Sequence, residues 1–232
     1  MNTSSGTLFV VATPIGNLED ITFRALRILQ ECDYILCEDT RVTKKLLAHY
    51  DIDTKLKRYD AHTSERTHET VIAELRSGQR IALVSDAGTP GISDPGVRLV
   101  EQARVMGIPV ETIPGPSALT AAISIAGCGG NQFTFLGFVP QKKGRETFFT
   151  NLEQYSHLVV FFESTHRILR TLTTLANTYP KRQLMLAREL TKLHEEVLCG
   201  IPAEVLSILE REPVKQKGEF VVLLKNQRSQ NE

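Results

Sequence analysis

Val84-Ser-Asp-Ala-Gly-Thr-Pro-Gly-Ile-Ser-Asp-Pro-Gly96 puts three glycines and two prolines into thirteen residues, a density that neither a helix nor a sheet tolerates. The overlapping run Arg80-Ile-Ala-Leu-Val-Ser-Asp86 is apolar and ends in a carboxylate, which reads as a buried parallel strand. The segment is therefore a loop delivered to one edge of a sheet, where open α/β sheets bind their ligands. Gly88 and Gly91 let backbone amides approach a bound molecule with no Cβ in the way, and Pro90 keeps the turn rigid. Ile113-Pro-Gly-Pro-Ser-Ala118 is a second loop of the same kind, at the end of a short strand from Pro109.

On the N-terminal side, strands and helices alternate. Thr7 to Thr13 is a first strand broken sharply by Pro14-Ile-Gly-Asn17, and Asp20 caps a helix with Ile21, Ala25, Ile28 and Leu29 on one face. Tyr34 to Asp39 is a strand ending in two carboxylates, followed by a helix from about Arg41. A polar connector leads to a helix at Glu69 to Arg76. The strand at 80–86 is then followed by a helix with Asp94 as cap and Pro95 in its first turn. Repeated strand–helix units predict a mostly parallel sheet with helices on both faces.

Beyond the Pro114-Gly-Pro116 turn, Ser117 to Ala126 is a small-residue helix. Strands follow at 133–139, 158–162, 183–187, 197–199 and 220–224, with helices from about Arg145, over 165–178 and from Pro202. The expected organisation is two α/β domains, 1–116 and 117–226, with mostly parallel or mixed sheets, a cofactor cleft between them, and a disordered tail at 227–232.

The composition, 41% hydrophobic and 23% charged over 232 residues, is that of a soluble globular protein. Lys plus Arg and Asp plus Glu balance at 27 each, so any nucleic-acid surface must be local. Cys32, Cys37, Cys128 and Cys199 form no zinc-type spacing, which predicts free thiols and no metal. With no leader or spanning segment in view, the chain is expected in the cytoplasm, with no membrane partner. There is no P-loop, no GxGxxG after the first strand and no GxSxG elbow.

Six motifs in order, Thr13-Pro-Ile-Gly-Asn-Leu-Glu-Asp20, Cys37-Glu-Asp-Thr-Arg41, Ser85 to Gly96, Ile113 to Ala118, Glu163-Ser-Thr-His-Arg167 and Arg188-Glu-Leu-Thr-Lys192, resemble one family. It is the tetrapyrrole methylase superfamily, in its branch of ribosomal RNA small subunit methyltransferase I. The resemblance implies a homodimeric class III enzyme that binds S-adenosylmethionine (SAM) and methylates a cytidine ribose 2′-hydroxyl in the decoding region of small-subunit ribosomal RNA. It also implies that Pro14, Gly88, Thr89, Pro90, Ile92, Ser117 and Ala118 line the cofactor site. Members of this branch often carry a further C-terminal helical segment, whereas this chain stops shortly after its last predicted strand.

Methyl transfer from a sulfonium asks the protein mainly to position groups and exclude water. An alcohol is a poor nucleophile, so a base or a group that stabilises developing charge is sought among Glu38, Asp39, Glu163, His166, Glu189 and His194. Asp39 and Glu163 stand out as catalytic candidates, because each ends a strand and is followed within four residues by an arginine, Arg41 or Arg167. Each also sits where a helix cap or a structural ion pair would be. His194, beside two glutamates, reads as a solvated surface residue.

For RNA phosphates the candidates are Arg41, Lys142, Lys143, Arg145 and Arg167, with the 142–145 run expected in an exposed loop. The phenylalanines of the second half lie in apolar runs and read as core before base-stacking platforms. Two other functions remain open at this point: methylation of a tetrapyrrole ring, and a SAM- or RNA-binding module without turnover.

Overall fold

The computed structural model describes residues 6–92, 96–127 and 131–225. Contacts divide the chain into two compact units, Met1–Ser117 and Ala118–Glu232.

The first unit is a five-stranded sheet of β1 (Thr7–Val11), β2 (Tyr34–Cys37), β3 (Leu56–Arg58), β4 (Arg80–Leu83) and β5 (Val110–Ile113). Its order is β3-β2-β4-β1-β5, and every pairing is parallel. Four helices connect the strands: α1 (Phe23–Glu31), α2 (Thr40–His49), α3 (Glu65–Arg76) and α4 (Gly96–Val105). Alternate residues of each strand point to opposite faces, and each face has its own core. Phe9, Val11, Ile35 and Ala82 pack with Ala25, Ile28 and Leu29 of α1 and Leu47 of α2. Leu8, Leu36, Ile81 and Leu83 pack with Val71, Ile72 and Leu75 of α3 and with Leu99 and Ala103 of α4.

That division of the helices locates the ligand edge. Strands β1 and β4 are neighbours, yet the helix after β1 covers one face and the helix after β4 covers the other. Their loops therefore diverge at the carboxyl ends of the strands, which is the topological switch point where such sheets bind ligands.

The second unit opens with α5 (Ala118–Ile125), which packs on its sheet at β10 (Glu219–Leu224). The sheet is mixed, in the order β6 (Phe133–Phe138), β7 (Leu158–Ser164), β10, β8 (Leu184–Arg188), β9 (Glu196–Gly200). Only β6 and β7 run parallel, and the other pairs are antiparallel. Helices α6 (Arg145–Thr150), α7 (Ile168–Thr178) and α8 (Pro202–Arg211) bury Phe149, Leu172, Leu175, Val205 and Leu209 against Phe161, Leu186 and Val222.

The α/β expectation, with parallel and mixed sheets, holds with corrections of detail. Asp20 is not the cap of α1: it ends a single 3-10 turn capped by Asn17, and Thr22 caps the helix by accepting the Ala25 N–H. Helix α3 begins four residues before its expected start, where Ser64 accepts the Thr67 N–H. The polar connector contains β3, an edge strand paired only with β2. The expected cap Asp94 with Pro95, Cys128, and the tail after Lys225 lie outside the described residues.

Candidate cofactor and acceptor site

Three loops meet at the carboxyl edge of the first sheet, and their backbones are laced together. Thr13 donates its N–H to the Gly88 carbonyl at 2.9 Å, and Gly88 donates back to the Thr13 carbonyl at 3.0 Å. The Thr13 hydroxyl also donates to the Ser85 carbonyl at 3.1 Å, and Thr89 Oγ1 donates to the Pro116 carbonyl at 3.1 Å. The loops after β1, β4 and β5 thus form one rigid cradle.

Glycine is needed in this cradle for two different reasons. Gly88 has φ +82°, a left-handed conformation that side chains resist, and a Cβ there would stand 3.4 Å from Ile15 Cγ2. At Gly115 the need is space, since a Cβ would come within 3.1 Å of Ala12 Cβ. Pro14 and Pro90 are buried, Thr89, Ser117 and Ala118 are half-buried, and Ile92 is exposed. All the sequence-designated cofactor residues except Ala118 belong to the first unit, and Ala118 is the first residue of the second.

The neighbouring strand end supplies charge. Asp39 caps α2 by accepting the Arg41 N–H at 2.8 Å, and its carboxylate takes the Arg41 guanidinium at 2.6 Å. The Arg41 guanidinium, together with that backbone N–H, holds the Asp39 carboxyl down at about 2. Asp39 in turn donates its own N–H to Asp86 Oδ1 at 3.0 Å, which ties the β2 loop to the cofactor loop. The cradle itself carries no Lys or Arg from Ala87 to Ile92 or from Ile113 to Ala118. It offers backbone groups and hydroxyls beside two carboxylates, a donor set for a cationic, phosphate-free ligand rather than for a polyphosphate.

Glu163 is placed quite differently. Its carboxylate is fully buried and accepts from the Ser164 N–H at 2.8 Å, the Thr171 hydroxyl at 2.5 Å and Arg167 Nη2 at 2.9 Å. Arg145 Nη1 lies 3.6 Å from Glu163 Oε2, and Arg145 Nη2 donates to Thr171 Oγ1 at 2.8 Å. With its side chain fully buried, unlike that of Asp39, the Glu163 carboxylate has no exposed face to offer a substrate proton, and its partners make it the centre of a structural ion cluster.

The same cluster corrects the role expected of Arg145. Its side chain is 7% exposed, against 87% for Arg41, and burial pushes its guanidinium down from the usual arginine range. Arg145 is thus an internal brace and not an RNA contact, and charge reversal there would damage the fold before it touched RNA. Arg167 is half-buried and spent on Glu163, Ser164 Oγ and the Val139 carbonyl. Together these guanidiniums hold the Val139 and Pro140 carbonyls, and Lys142 and Lys143 remain exposed beyond them.

The other acid–base candidates separate just as clearly. His166 and His194 are exposed. Glu189, at φ 51°, takes Lys192 Nζ at 2.9 Å and the Glu219 N–H at 2.8 Å, which makes it a brace of the loop after β8. Glu38 is half-buried beside Asp39. Phe148, Phe149 and Phe161 stack edge to face in the core, whereas Phe135 and Phe138 pack on half-buried Phe162. Among the described residues, no three His, Cys, Asp or Glu stand close enough to hold a metal ion.

A family model for "Tetrapyrrole (Corrin/Porphyrin) Methylases" matches residues 7–205, which include both the laced loops and the Glu163 cluster. The chain belongs to the tetrapyrrole methylase family. It is 46% identical over 220 residues to the ribosomal RNA small subunit methyltransferase I of Neisseria meningitidis serogroup A / serotype 4A, covering 94% of this chain and 76% of that protein. The protein of the same name from Thermotoga maritima is 44% identical over 219 residues, covering 94% of this chain and 98% of the other. At these values the chain is a methyltransferase of the small subunit methyltransferase I family.

Among solved structures, the uroporphyrin-III C-methyl transferase of Thermus thermophilus complexed with S-adenosyl homocysteine superposes with a TM-score of 0.63 at 19% identity, covering 94% and 96% of the two chains. At that identity the likeness speaks for the fold.

Proposed function

We propose that this methyltransferase transfers a methyl group from SAM to the 2′-hydroxyl of a cytidine in the decoding region of small-subunit ribosomal RNA, acting in the cytoplasm as a homodimer. The observation that carries the cofactor half is the laced cradle. Its preformed backbone, close glycine packing and adjacent carboxylates fit a cationic, phosphate-free nucleoside, with Pro14, Gly88, Thr89, Pro90, Ile92, Ser117 and Ala118 holding it. The acceptor half rests on the family and on relatives more than 40% identical over nearly the whole chain.

SAM, held by the cradle residues, would supply an electrophilic methyl group on a sulfonium, with a neutral thioether as the leaving group and water to take the acceptor's hydroxyl proton. This chain's residues arrange the meeting of methyl and hydroxyl. The lacing fixes the cradle before binding, so less freedom is lost on the way to the reactive geometry. Asp39, held ionised at about 2, is a weak base, and its part is to accept a hydrogen bond from the acceptor hydroxyl and orient it. Arg41 and, in the second unit, Lys142 and Lys143 engage RNA phosphates.

The test is transfer of labelled methyl from SAM to small ribosomal subunits isolated from cells lacking the activity, with naked RNA and a tetrapyrrole precursor alongside. Labelled subunits support the proposal. Label confined to the tetrapyrrole assigns the ring chemistry, and SAM binding without label in any acceptor assigns a non-catalytic module.

A further inference from the structure

We infer that a cavity beside β3, lined by Arg58, Asp60, His62, Thr63 and Thr67, receives a phosphodiester of the RNA acceptor next to the reacting nucleotide. The inference rests on the methyl-transfer reading above, since it requires a polyanionic acceptor. The cavity measures about 260 Å³ and lies wholly in the first unit. That is below the ~300–1,000 Å³ of sites that enclose a whole small ligand, and suits one group of a larger molecule.

Its walls are fixed to one another. The Thr63 hydroxyl accepts the Asp60 N–H at 2.7 Å, and Asp60 Oδ1 accepts the His62 N–H at 2.9 Å. Behind them Tyr59 and His68 are both buried, with the tyrosine oxygen 2.7 Å from His68 Nδ1, so the end of β3 is braced to α3. Among the described residues His68 Nε2 has no hydrogen-bond partner.

The lining pairs one arginine with one aspartate and adds hydroxyl and ring groups, so it receives an anion's oxygens through hydrogen-bond donors rather than through net charge. Arg58 spends one nitrogen on Asp60, at 2.6 Å, and its side chain is 71% exposed, which leaves guanidinium donors for an incoming oxygen. The Thr63 and Thr67 hydroxyls and the His62 ring add hydrogen-bonding groups. Placement separates this anion from the cofactor. Strand β3 stands two strands from β4, roughly 10 Å at the usual interstrand spacing, with β2 and exposed Arg41 between. SAM has no phosphate. SAM's own anionic group is a single carboxylate, so an anion site at this end of the same edge suits the acceptor chain, and Arg58 and Arg41, each paired with its own aspartate, present exposed guanidinium donors on the way to the cradle.

Arg58→Ala and His62→Ala, made separately in the full chain, test this. Binding of small ribosomal subunits is measured across a salt series with S-adenosylhomocysteine present, alongside SAM calorimetry and a thermal melt. For Arg58→Ala the expected result is subunit affinity about five- to tenfold weaker and a log-affinity-against-log-salt slope smaller by about one. His62→Ala should show a smaller loss, and both variants should keep SAM affinity and melting temperature. Unchanged subunit affinity and slope in Arg58→Ala would overturn the inference. So would a parallel loss of SAM affinity, which would assign the cavity to the cofactor's carboxylate, or a wild-type protein that binds no subunits. A wild type that binds subunits but methylates none would sink the methyl-transfer reading alone, because the cavity is judged on binding.

Discussion

Thr13 and Gly88 exchange backbone hydrogen bonds in both directions, although seventy-five residues separate them in the chain. This pair joins the loop after β1 to the loop after β4 at the point where the two connections leave for opposite faces of the sheet. A crevice that would otherwise splay is closed into a preformed cradle.

Gly88→Val attacks that pair directly. An L side chain at φ +82° costs roughly 1–2 kcal/mol, and the added carbons press on Ile15. SAM affinity measured by calorimetry should fall at least tenfold, with the melting temperature lower by only a few degrees. Undiminished affinity would remove the cofactor from this loop.

Asp39→Asn tests the acceptor side while sparing the fold, because asparagine also caps helices well. The wild-type carboxyl lies below its ordinary value, so its ionic contacts are complete above about pH 4 and are lost only as pH falls toward about 2. The rate profile between pH 5 and 8 should therefore show no acid limb from this group. The substitution should lower kcat about tenfold with little change in SAM affinity. Wild-type kcat in the variant would return Asp39 to capping alone.

Asp39 and Glu163 also show how far the sequence could be read. Both are acids at strand ends with an arginine close behind, and nothing in that pattern separates them. Asp39 ends a strand beside exposed loops, while Glu163 is covered by α7 and by Arg145, a residue eighteen positions earlier whose burial depends on tertiary packing. The parallel sheet was legible because its central strands are apolar runs bounded by Gly and Pro. Strand β3 was not, because Leu56-Lys-Arg58 is too short and polar to announce itself and is held only by pairing with β2. The cavity beside it was missed for the same reason.

Glu163→Gln removes the one carboxylate between two guanidiniums. Uncompensated buried charge costs about 3–5 kcal/mol, and the isosteric amide keeps part of the hydrogen bonding, so a loss of roughly 2–4 kcal/mol is expected in urea unfolding. Arg145→Glu should be worse, since it would face one buried carboxylate with another. A neutral outcome for both would mean that the cluster does not brace this loop.

Lys142→Glu combined with Lys143→Glu changes charge at exposed positions only. Melting temperature should stay within a degree or two, while affinity for small ribosomal subunits falls and its salt slope drops by about two. Wild-type binding would make this loop an ordinary solvated turn.

The most direct measurement is nucleoside mass spectrometry of small-subunit RNA after reaction with the wild-type protein and isotopically labelled SAM. The account predicts that the label appears as one extra methyl on a cytidine, retained on the ribose fragment after loss of the base. Label on the base, or on a nucleoside outside the decoding region, would contradict it.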